Sequence, residues 1–257
     1  MRRLLPLAAV VALAGCTNGH ASSSAASTPT PPPAIASRCG AAHTHWRTLW
    51  FHASDGTRLD GAVAGTGNRG LVMLHESPAD LCGWEPYGST LAKRGFRVLL
   101  IDLRLFGLSG RGRFGGKRGA VADVRGAVDE AKRLGAKKVA LVGASFGGAT
   151  ALTVAPALGS MIDGVASLSG ELRLPNADLN AIAAAPNMTV PLLVMGSRDD
   201  SYLDAADARK LMRAAGSKQK KLVEFAGTSH GWDILADEQT RVRADRELVS
   251  FLRVVTQ

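Results

Sequence analysis

The feature that most constrains the fold is a glycine-rich turn in the middle of the chain. Residues 139–142, Val-Ala-Leu-Val, have the composition of a buried β-strand and lead directly into residues 143–148, Gly-Ala-Ser-Phe-Gly-Gly. Glycines two positions before and two after Ser145 give room for a sharp turn and for a helix packed closely on its strand. The segment therefore predicts a strand–turn–helix unit with Ser145 exposed at the turn.

The rest of the chain alternates strand-like and helix-like runs around that turn. Apolar runs that predict strands lie near residues 46–53, 57–64, 71–75, 96–102, 137–142, 164–168, 190–195 and 221–225. Runs near residues 84–94, 120–134, 203–215 and 236–254 predict helices. This alternation predicts an α/β fold, with a largely parallel sheet covered by helices on both faces. A hydrophobic content of 46% is enough for the core of one such domain.

The first sixteen residues predict an export signal rather than a part of the fold. Two arginines at residues 2–3 precede an apolar run over residues 4–13, which is too short to span a bilayer. Residues 13–16, Leu-Ala-Gly-Cys, also resemble a bacterial lipobox. That resemblance implies that residues 1–15 are a lipoprotein signal peptide and that Cys16 carries the lipid. The alternative is an ordinary secretory signal in which the cysteine has no role.

A polar tether follows this signal. Residues 17–37 are mostly Ser, Ala, Thr and Pro, a composition that cannot bury enough apolar surface to fold. We therefore expect residues 16–37 to be the lipidated cysteine with a disordered tether, and residues 38–257 to be the folded domain. Lipobox and tether together predict a bacterial protein anchored by lipid to the cell membrane, on its extracytoplasmic face.

Export also bears on the two remaining cysteines. Cys39 lies where the folded domain is expected to begin, and Cys82 lies in the loop after the third predicted strand. An even pair of cysteines in an oxidising compartment favours a disulfide, whereas two free buried thiols are the alternative. Because geometry decides whether two cysteines can be joined, the sequence leaves both open.

The turn around Ser145 resembles the nucleophile elbow of the α/β-hydrolase superfamily, in which the serine is held exposed above the sheet. In that family an acid and then a histidine follow the serine along the chain. The resemblance implies Asp199, which follows the strand near 190–195, as the acid; Asp200 is the competitor and Glu171 a weaker alternative. It implies His230, in the loop after the last strand, as the base.

Two further segments carry the same resemblance. Residues 102–109, Asp-Leu-Arg-Leu-Phe-Gly-Leu-Ser, resemble a segment that the family places after the fourth strand. The family's oxyanion hole takes one amide from the residue after the serine, here Phe146, and one from the loop after the third strand, here Ser77. Glu76 stands where glycine is common, and with His75 it resembles the dienelactone-hydrolase branch. That likeness implies a glutamate near the serine; the alternative is a side chain that binds loop amides.

Together these segments imply a serine hydrolase that cleaves ester-type bonds through an acyl-enzyme, with no metal or other cofactor. About twenty residues separate the strands near 164–168 and 190–195, too few for a large cap domain, so we expect an open site for small or surface-presented acyl esters. A peptidase or acyltransferase would use the same triad, and a binding lipoprotein without turnover is the alternative from another class. The net charge of +9 names no partner, no nucleic-acid motif accompanies it, and we expect a monomer.

Overall fold

Strands and helices alternate along the chain as the sequence predicts. The structure, a computed structural model, describes residues 30–40 and 45–257. Its strands are β1 (Arg47–His52), β2 (Arg58–Ala64), β3 (Arg69–Leu74), β4 (Phe96–Ile101), β5 (Lys138–Ala144), β6 (Gly164–Leu168), β7 (Arg173–Leu174), β8 (Leu179–Asn180), β9 (Leu192–Ser197) and β10 (Lys220–Phe225). Its α-helices are α1 (Ile35–Cys39), α2 (Glu85–Lys93), α3 (Gly116–Arg133), α4 (Phe146–Leu158), α5 (Ala181–Ala184), α6 (Ala205–Ala214) and α7 (Arg241–Val255).

Eight strands form one sheet in the order β1-β2-β4-β3-β5-β6-β9-β10. β2 is antiparallel to both of its neighbours, β1 and β4. The remaining neighbours, from β4 across to β10, are parallel. The carboxyl ends of these parallel strands therefore lie along one edge of the sheet, where α/β proteins commonly bind their ligands.

Apolar side chains alternate along the central strands and fill two cores, one on each face of the sheet. In β3, Val72 and Leu74 belong to one core, whereas Leu71 and Met73 belong to the other. Helices α3, α4 and α6 contribute to the first core, and α2 and α7 contribute to the second. A period of two with both faces apolar is typical of a parallel sheet buried between helices. The predicted α/β architecture is thus confirmed.

The folded domain begins earlier than the sequence predicts. α1 starts inside the segment assigned to the tether, and its Ile35 is only 1% exposed. Thr48 in β1 donates a hydrogen bond from its hydroxyl to the Pro32 carbonyl at 2.8 Å. The expected boundary at residue 38 is therefore wrong, because core packing and β1 hold residues before it. The predicted signal peptide, Cys16 and the tether up to residue 29 lie outside the described residues.

A disulfide joins Cys39 to Cys82 and ties α1 to the segment after β3. Beside it, the Arg38 guanidinium lies 2.5 Å from a carboxylate oxygen of Asp60 and 3.1 Å from one of Asp102. Both carboxylates are fully buried. Burial raises the pKa of Asp60 to about 7 against the opposing effect of Arg38. The segment before β1, residues 31–39 (the entry segment), thus supplies positive charge to two acids in the interior.

A short insertion stands where a cap domain would begin. Between β6 and β9 it holds the β7–β8 hairpin and the four-residue helix α5, which agrees with the expected lack of a large cap. The last helix starts at Arg241 rather than near residue 236, because residues 231–235 form a 3₁₀ turn. Over the described ranges, no helix combines the length and apolarity that a membrane crossing needs.

Candidate active site

Ser145 lies in a strained turn between β5 and α4. Its φ of 47° and ψ of −116° are rare outside glycine, and such a conformation costs roughly 1–3 kcal/mol. Two backbone hydrogen bonds support it: the Ser145 amide donates to the Leu168 carbonyl at 2.8 Å, and the Ser145 carbonyl accepts from Ala149 at 2.9 Å. The turn places Ser145 at the amino end of α4, where the helix dipole favours negative charge.

The glycines flanking Ser145 are required by close backbone contacts. A β-carbon on Gly143 would lie 2.2 Å from the carbonyl oxygen of Gly147, and one on Gly147 would lie 2.1 Å from that of Leu74. Side-chain movement cannot relieve either contact, because both partners are backbone atoms. This geometry agrees with the interpretation of the motif as a turn that brings helix and strand close together.

His230 follows β10 and is paired with a buried aspartate after β9. Its Nδ1 lies 2.8 Å from Oδ2 and 3.0 Å from Oδ1 of Asp200. Asp200 is only 2% exposed, and its Oδ1 also accepts a hydrogen bond from the Tyr202 amide at 2.9 Å. Ser197 at the end of β9 donates to the Ser229 carbonyl at 2.7 Å, which links this strand to the histidine loop.

The prediction of Asp199 as the partner of the histidine is wrong. The Asp199 side chain is exposed, and its backbone amide donates to the Gly227 carbonyl at 3.1 Å. The strand predicted near 190–195 ends too early: β9 continues through Gly196 to Ser197, and Asp200 lies three residues beyond its end.

The charges around His230 favour its protonated form. Burial lowers the pKa of His230, but the hydrogen bond to Asp200 and the negative charges of Asp200, Glu76 and Glu171 outweigh it, so the pKa is raised. Burial alone would raise the pKa of Asp200; the hydrogen bonds from His230 and Tyr202 reverse this and hold the pKa below its ordinary value. The pair is therefore a carboxylate facing an imidazole that binds a proton more readily than usual.

Glu76 holds the loop that carries His230. Its Oε1 accepts a hydrogen bond from the Trp232 amide at 2.7 Å. A β-carbon at Gly231 would lie 1.7 Å from the same oxygen, which explains the glycine there. Burial raises the pKa of Glu76, while the Trp232 amide and the His230 charge oppose the shift. Of the two alternatives for this side chain, the structure shows the bond to a loop amide.

One cavity brings the predicted residues together. It has a volume of about 430 Å³ and opens beside the turn that carries Ser145. Part of its wall comes from the short insertion after β6. Within the described residues, no group of three or more His, Cys, Asp or Glu side chains is arranged to bind a metal. The cavity is lined by Glu76, Ser77, Ser145, Phe146, Glu171, Leu174, Pro175, Asn176, Ala177, Tyr202 and His230.

A second, more apolar cavity adjoins the first. It has a volume of about 240 Å³ and shares Phe146, Asn176 and Ala177 with the larger one. Five of its other ten lining residues have apolar side chains, namely Leu103, Leu105, Phe106, Ala120 and Leu179. Arg104 also borders it, but its guanidinium is bound by Asp123 at 2.8 Å and by Asp55 at 2.9 Å. The two cavities can hold a polar and an apolar part of one molecule.

Two residues that line the cavity differ from expectation: the sequence does not indicate Tyr202 as a site residue, and it suggests Glu171 only as an alternative acid. Tyr202 is 61% exposed, and the centroid of its ring lies 4.6 Å from that of the His230 ring. Glu171, weighed as an alternative triad acid, lines the cavity without bonding the histidine; burial raises its pKa. A tyrosine two residues beyond the acid carries no motif of its own. Only the turn around Asp200 brings it to the cavity.

The fold and this site together define the class of protein. Residues 70–191 match the sequence profile of a family described as alpha/beta hydrolase fold. An esterase from Pyrococcus furiosus is similar in structure, with a TM-score of 0.73 and 15% identity over 90% of this chain and 98% of that one. The chain therefore has the α/β-hydrolase fold, as predicted.

Two further solved structures are also similar, with lower TM-scores. A monoacylglycerol lipase from Paleococcus ferrophilus has a TM-score of 0.64 and 20% identity, over 76% of this chain and 98% of that one. An esterase from Exiguobacterium antarcticum has a TM-score of 0.64 and 19% identity, over 79% of this chain and 98% of that one. A sequence search of the curated proteins finds no match.

Proposed function

We propose that the protein is a serine hydrolase that cleaves carboxylic-ester bonds, with Ser145, His230 and Asp200 as its triad. One observation carries the proposal: a serine in a strained strand–helix turn shares a cavity with a histidine whose Nδ1 is bonded to a buried carboxylate. A serine hydroxyl is a weak nucleophile and needs such a base beside it. The neighbouring esterases and the lipase favour an ester over other acyl substrates.

The geometry suits two-step acyl transfer. Because Nδ1 of His230 bonds to Asp200, the proton of the neutral ring stays on Nδ1 and Nε2 is left to accept one. His230 takes the proton of the Ser145 hydroxyl as its oxygen attacks the ester carbonyl. It then gives that proton to the leaving alcohol, and water repeats the sequence on the acyl-enzyme.

Stabilisation of the developing oxyanion is assigned to two amides. Phe146 begins α4 directly after the nucleophile, and Ser77 lines the same cavity from the loop after β3. Amide donors aimed at a tetrahedral intermediate commonly contribute several kcal/mol, about 2.7–4 for one donor. The dienelactone-hydrolase likeness stays a prediction, and the Glu76 contact to the histidine loop gives that residue a positioning role instead.

The site favours an ester with a modest acyl group. The apolar cavity of about 240 Å³ adjoins Phe146 and suits an acyl chain, whereas the larger and less apolar cavity suits the alcohol portion. The insertion after β6 leaves the entrance open to small or surface-presented esters. A monomeric enzyme would suffice, since one chain supplies all three proposed triad residues.

We also propose that the enzyme is anchored by lipid at Cys16 on the extracytoplasmic face of a bacterial cell membrane. The lipobox-like segment supports this, and a Cys39–Cys82 disulfide suits an oxidising compartment. When cells of an expressing bacterium are separated into membrane and soluble fractions, the Cys16→Ala variant should appear in the soluble fraction. Membrane retention of that variant equal to wild type would contradict lipidation.

A fluorophosphonate probe tests the catalytic proposal directly. Wild type should be labelled and Ser145→Ala should not, whereas Ser250→Ala, which changes an exposed serine on α7, should label as wild type does. Hydrolysis of p-nitrophenyl esters of graded chain length, beside aminoacyl anilides, separates an esterase from a peptidase. Equal labelling of Ser145→Ala and wild type, or an unlabelled wild type, would overturn the proposal and favour a binding protein.

A further inference from the structure

We infer that the catalytic cavity selects esters that carry an ammonium group, with the carboxylate of Glu171 and the ring of Tyr202 as its recognition elements. This inference rests on the proposed hydrolase function and names the substrate class. The cavity contains these two groups next to the proposed nucleophile and base. Neither of them has a part in the acyl-transfer steps described above.

The sign of charge in the cavity is opposite to that of the whole chain. The sequence has 31 Lys and Arg against 22 Asp and Glu, a net charge of +9. Yet the described residues that line the catalytic cavity include two glutamates and no lysine or arginine. The guanidinium that borders the adjoining cavity, Arg104, is neutralised by its two aspartates. A substrate therefore meets local negative charge, although the chain as a whole is basic.

Of the two glutamates, Glu171 is the one free to meet a ligand. Glu76 is engaged with the Trp232 amide. Across residues 30–40 and 45–257, the hydrogen bonds and ion pairs leave the Glu171 carboxylate without a partner, although burial is large enough to raise its pKa. A half-buried carboxylate is stabilised by an opposite charge more strongly than an exposed one, because water screens it less.

Tyr202 supplies a second attraction of the same sign. This residue is 61% exposed with its ring beside His230, and its backbone amide is held by the hydrogen bond to Asp200. The face of an aromatic ring attracts ammonium groups, quaternary ones included. An aromatic ring and a carboxylate that line one cavity both favour a cationic ligand, and both disfavour a carboxylate or phosphate on the substrate.

Charge-matched substrate pairs test this selection. On the acyl side, p-nitrophenyl 4-(trimethylammonio)butanoate is compared with its neutral carbon isostere, p-nitrophenyl 5,5-dimethylhexanoate. On the alcohol side, acetylthiocholine is compared with S-(3,3-dimethylbutyl) thioacetate, by release of thiol. For each enzyme and each pair, the quantity compared is the ratio of kcat/KM, cationic over neutral. Differences in intrinsic ester reactivity cancel between wild type and variant.

Glu171→Gln should lower this ratio about tenfold for at least one pair at pH 8 and low salt, as expected for a partly screened charge contact. Tyr202→Leu should lower it less, and added salt should shrink the wild-type preference. Asp129→Asn removes the same charge from an exposed position on α3 and should leave the ratio unchanged. Turnover of the neutral esters reports whether each variant keeps a folded site.

Failure of this inference can be distinguished from failure of the hydrolase proposal. If the neutral esters are hydrolysed through Ser145 but Glu171→Gln leaves both ratios within twofold of wild type, the inference is overturned and the hydrolase proposal stands. If Glu171→Gln loses neutral turnover as well, Tyr202→Leu decides, and an unchanged ratio in that variant overturns the inference. If no ester is cleaved and Ser145 is not labelled, both proposals fall.

Discussion

Replacing Asp200 by asparagine should cripple the enzyme, whereas the same change at Asp199 should not. The two residues are adjacent in sequence, yet only Asp200 bonds to His230, through contacts of 2.8 and 3.0 Å. In Asp200→Asn the new side chain keeps one oxygen that can still accept from the Tyr202 amide, so the turn should survive. Asp199 is exposed, and its amide hydrogen bond to Gly227 does not involve its side chain.

The size of the loss follows from which tautomer of His230 remains. Losing one charge-assisted hydrogen bond costs about 1.5–3 kcal/mol, which by itself is roughly 10- to 150-fold in rate. An amide NH₂ facing Nδ1 adds a second effect, because it favours the tautomer with its proton on Nε2, which cannot accept the proton of Ser145. We therefore expect kcat/KM to fall about 10³- to 10⁴-fold, or roughly 4–5.5 kcal/mol.

The assay is kcat/KM for p-nitrophenyl acetate between pH 5.5 and 9, on wild type and both variants. Because the pKa of His230 is raised, the neutral, active base forms at higher pH than in an ordinary histidine, so wild-type activity should rise with pH through a value above 6.5. In Asp200→Asn the rise of the residual activity with pH should be shifted to lower pH than in wild type. The reason is that the hydrogen bond and the charge that favour the protonated imidazole are gone. A loss in Asp199→Asn as large as in Asp200→Asn would refute the assignment.

Two further predictions concern the entry segment. Arg38→Met leaves two buried carboxylates without their cation and should lower the free energy of unfolding, measured by urea titration at pH 8, by roughly 3–5 kcal/mol. The control Arg94→Met breaks a more exposed ion pair and should lower it by under about 1 kcal/mol. Equal losses in the two variants would contradict the argument. Cys82→Ser opens a link between residues 43 apart and should cost roughly 4 kcal/mol; an unfolding midpoint equal to that of the oxidised wild type would count against it.

Much of the site could be predicted because its residues follow strands in a fixed order. The turn at Ser145 is encoded locally by glycines whose missing β-carbons permit backbone contacts, so a short segment was enough. His230 was found by its place after the last strand. The acid was missed by one position, because the end of β9 depends on its pairing with β6 and β10 and not on its own residues.

The beginning of the domain could not be predicted for a related reason. By composition, residues 31–37 are those of a tether, with a run of prolines. What orders them is tertiary: the burial of Ile35, the bond from Thr48 to Pro32, and the disulfide at Cys39. A single large apolar side chain in such a segment gives no periodic pattern, so the sequence does not predict that these residues are ordered.

The sign of charge at the active site is likewise set by topology rather than by composition. Glu76 follows β3, Glu171 follows β6 and Asp200 follows β9, so these acids are far apart in the chain. Parallel strands bring their carboxyl ends to one edge of the sheet, which places all three around His230. A chain with a net charge of +9 can therefore present a negative cavity. The overall charge of the chain therefore does not predict the charge of the cavity, which is set by the residues that follow the parallel strands.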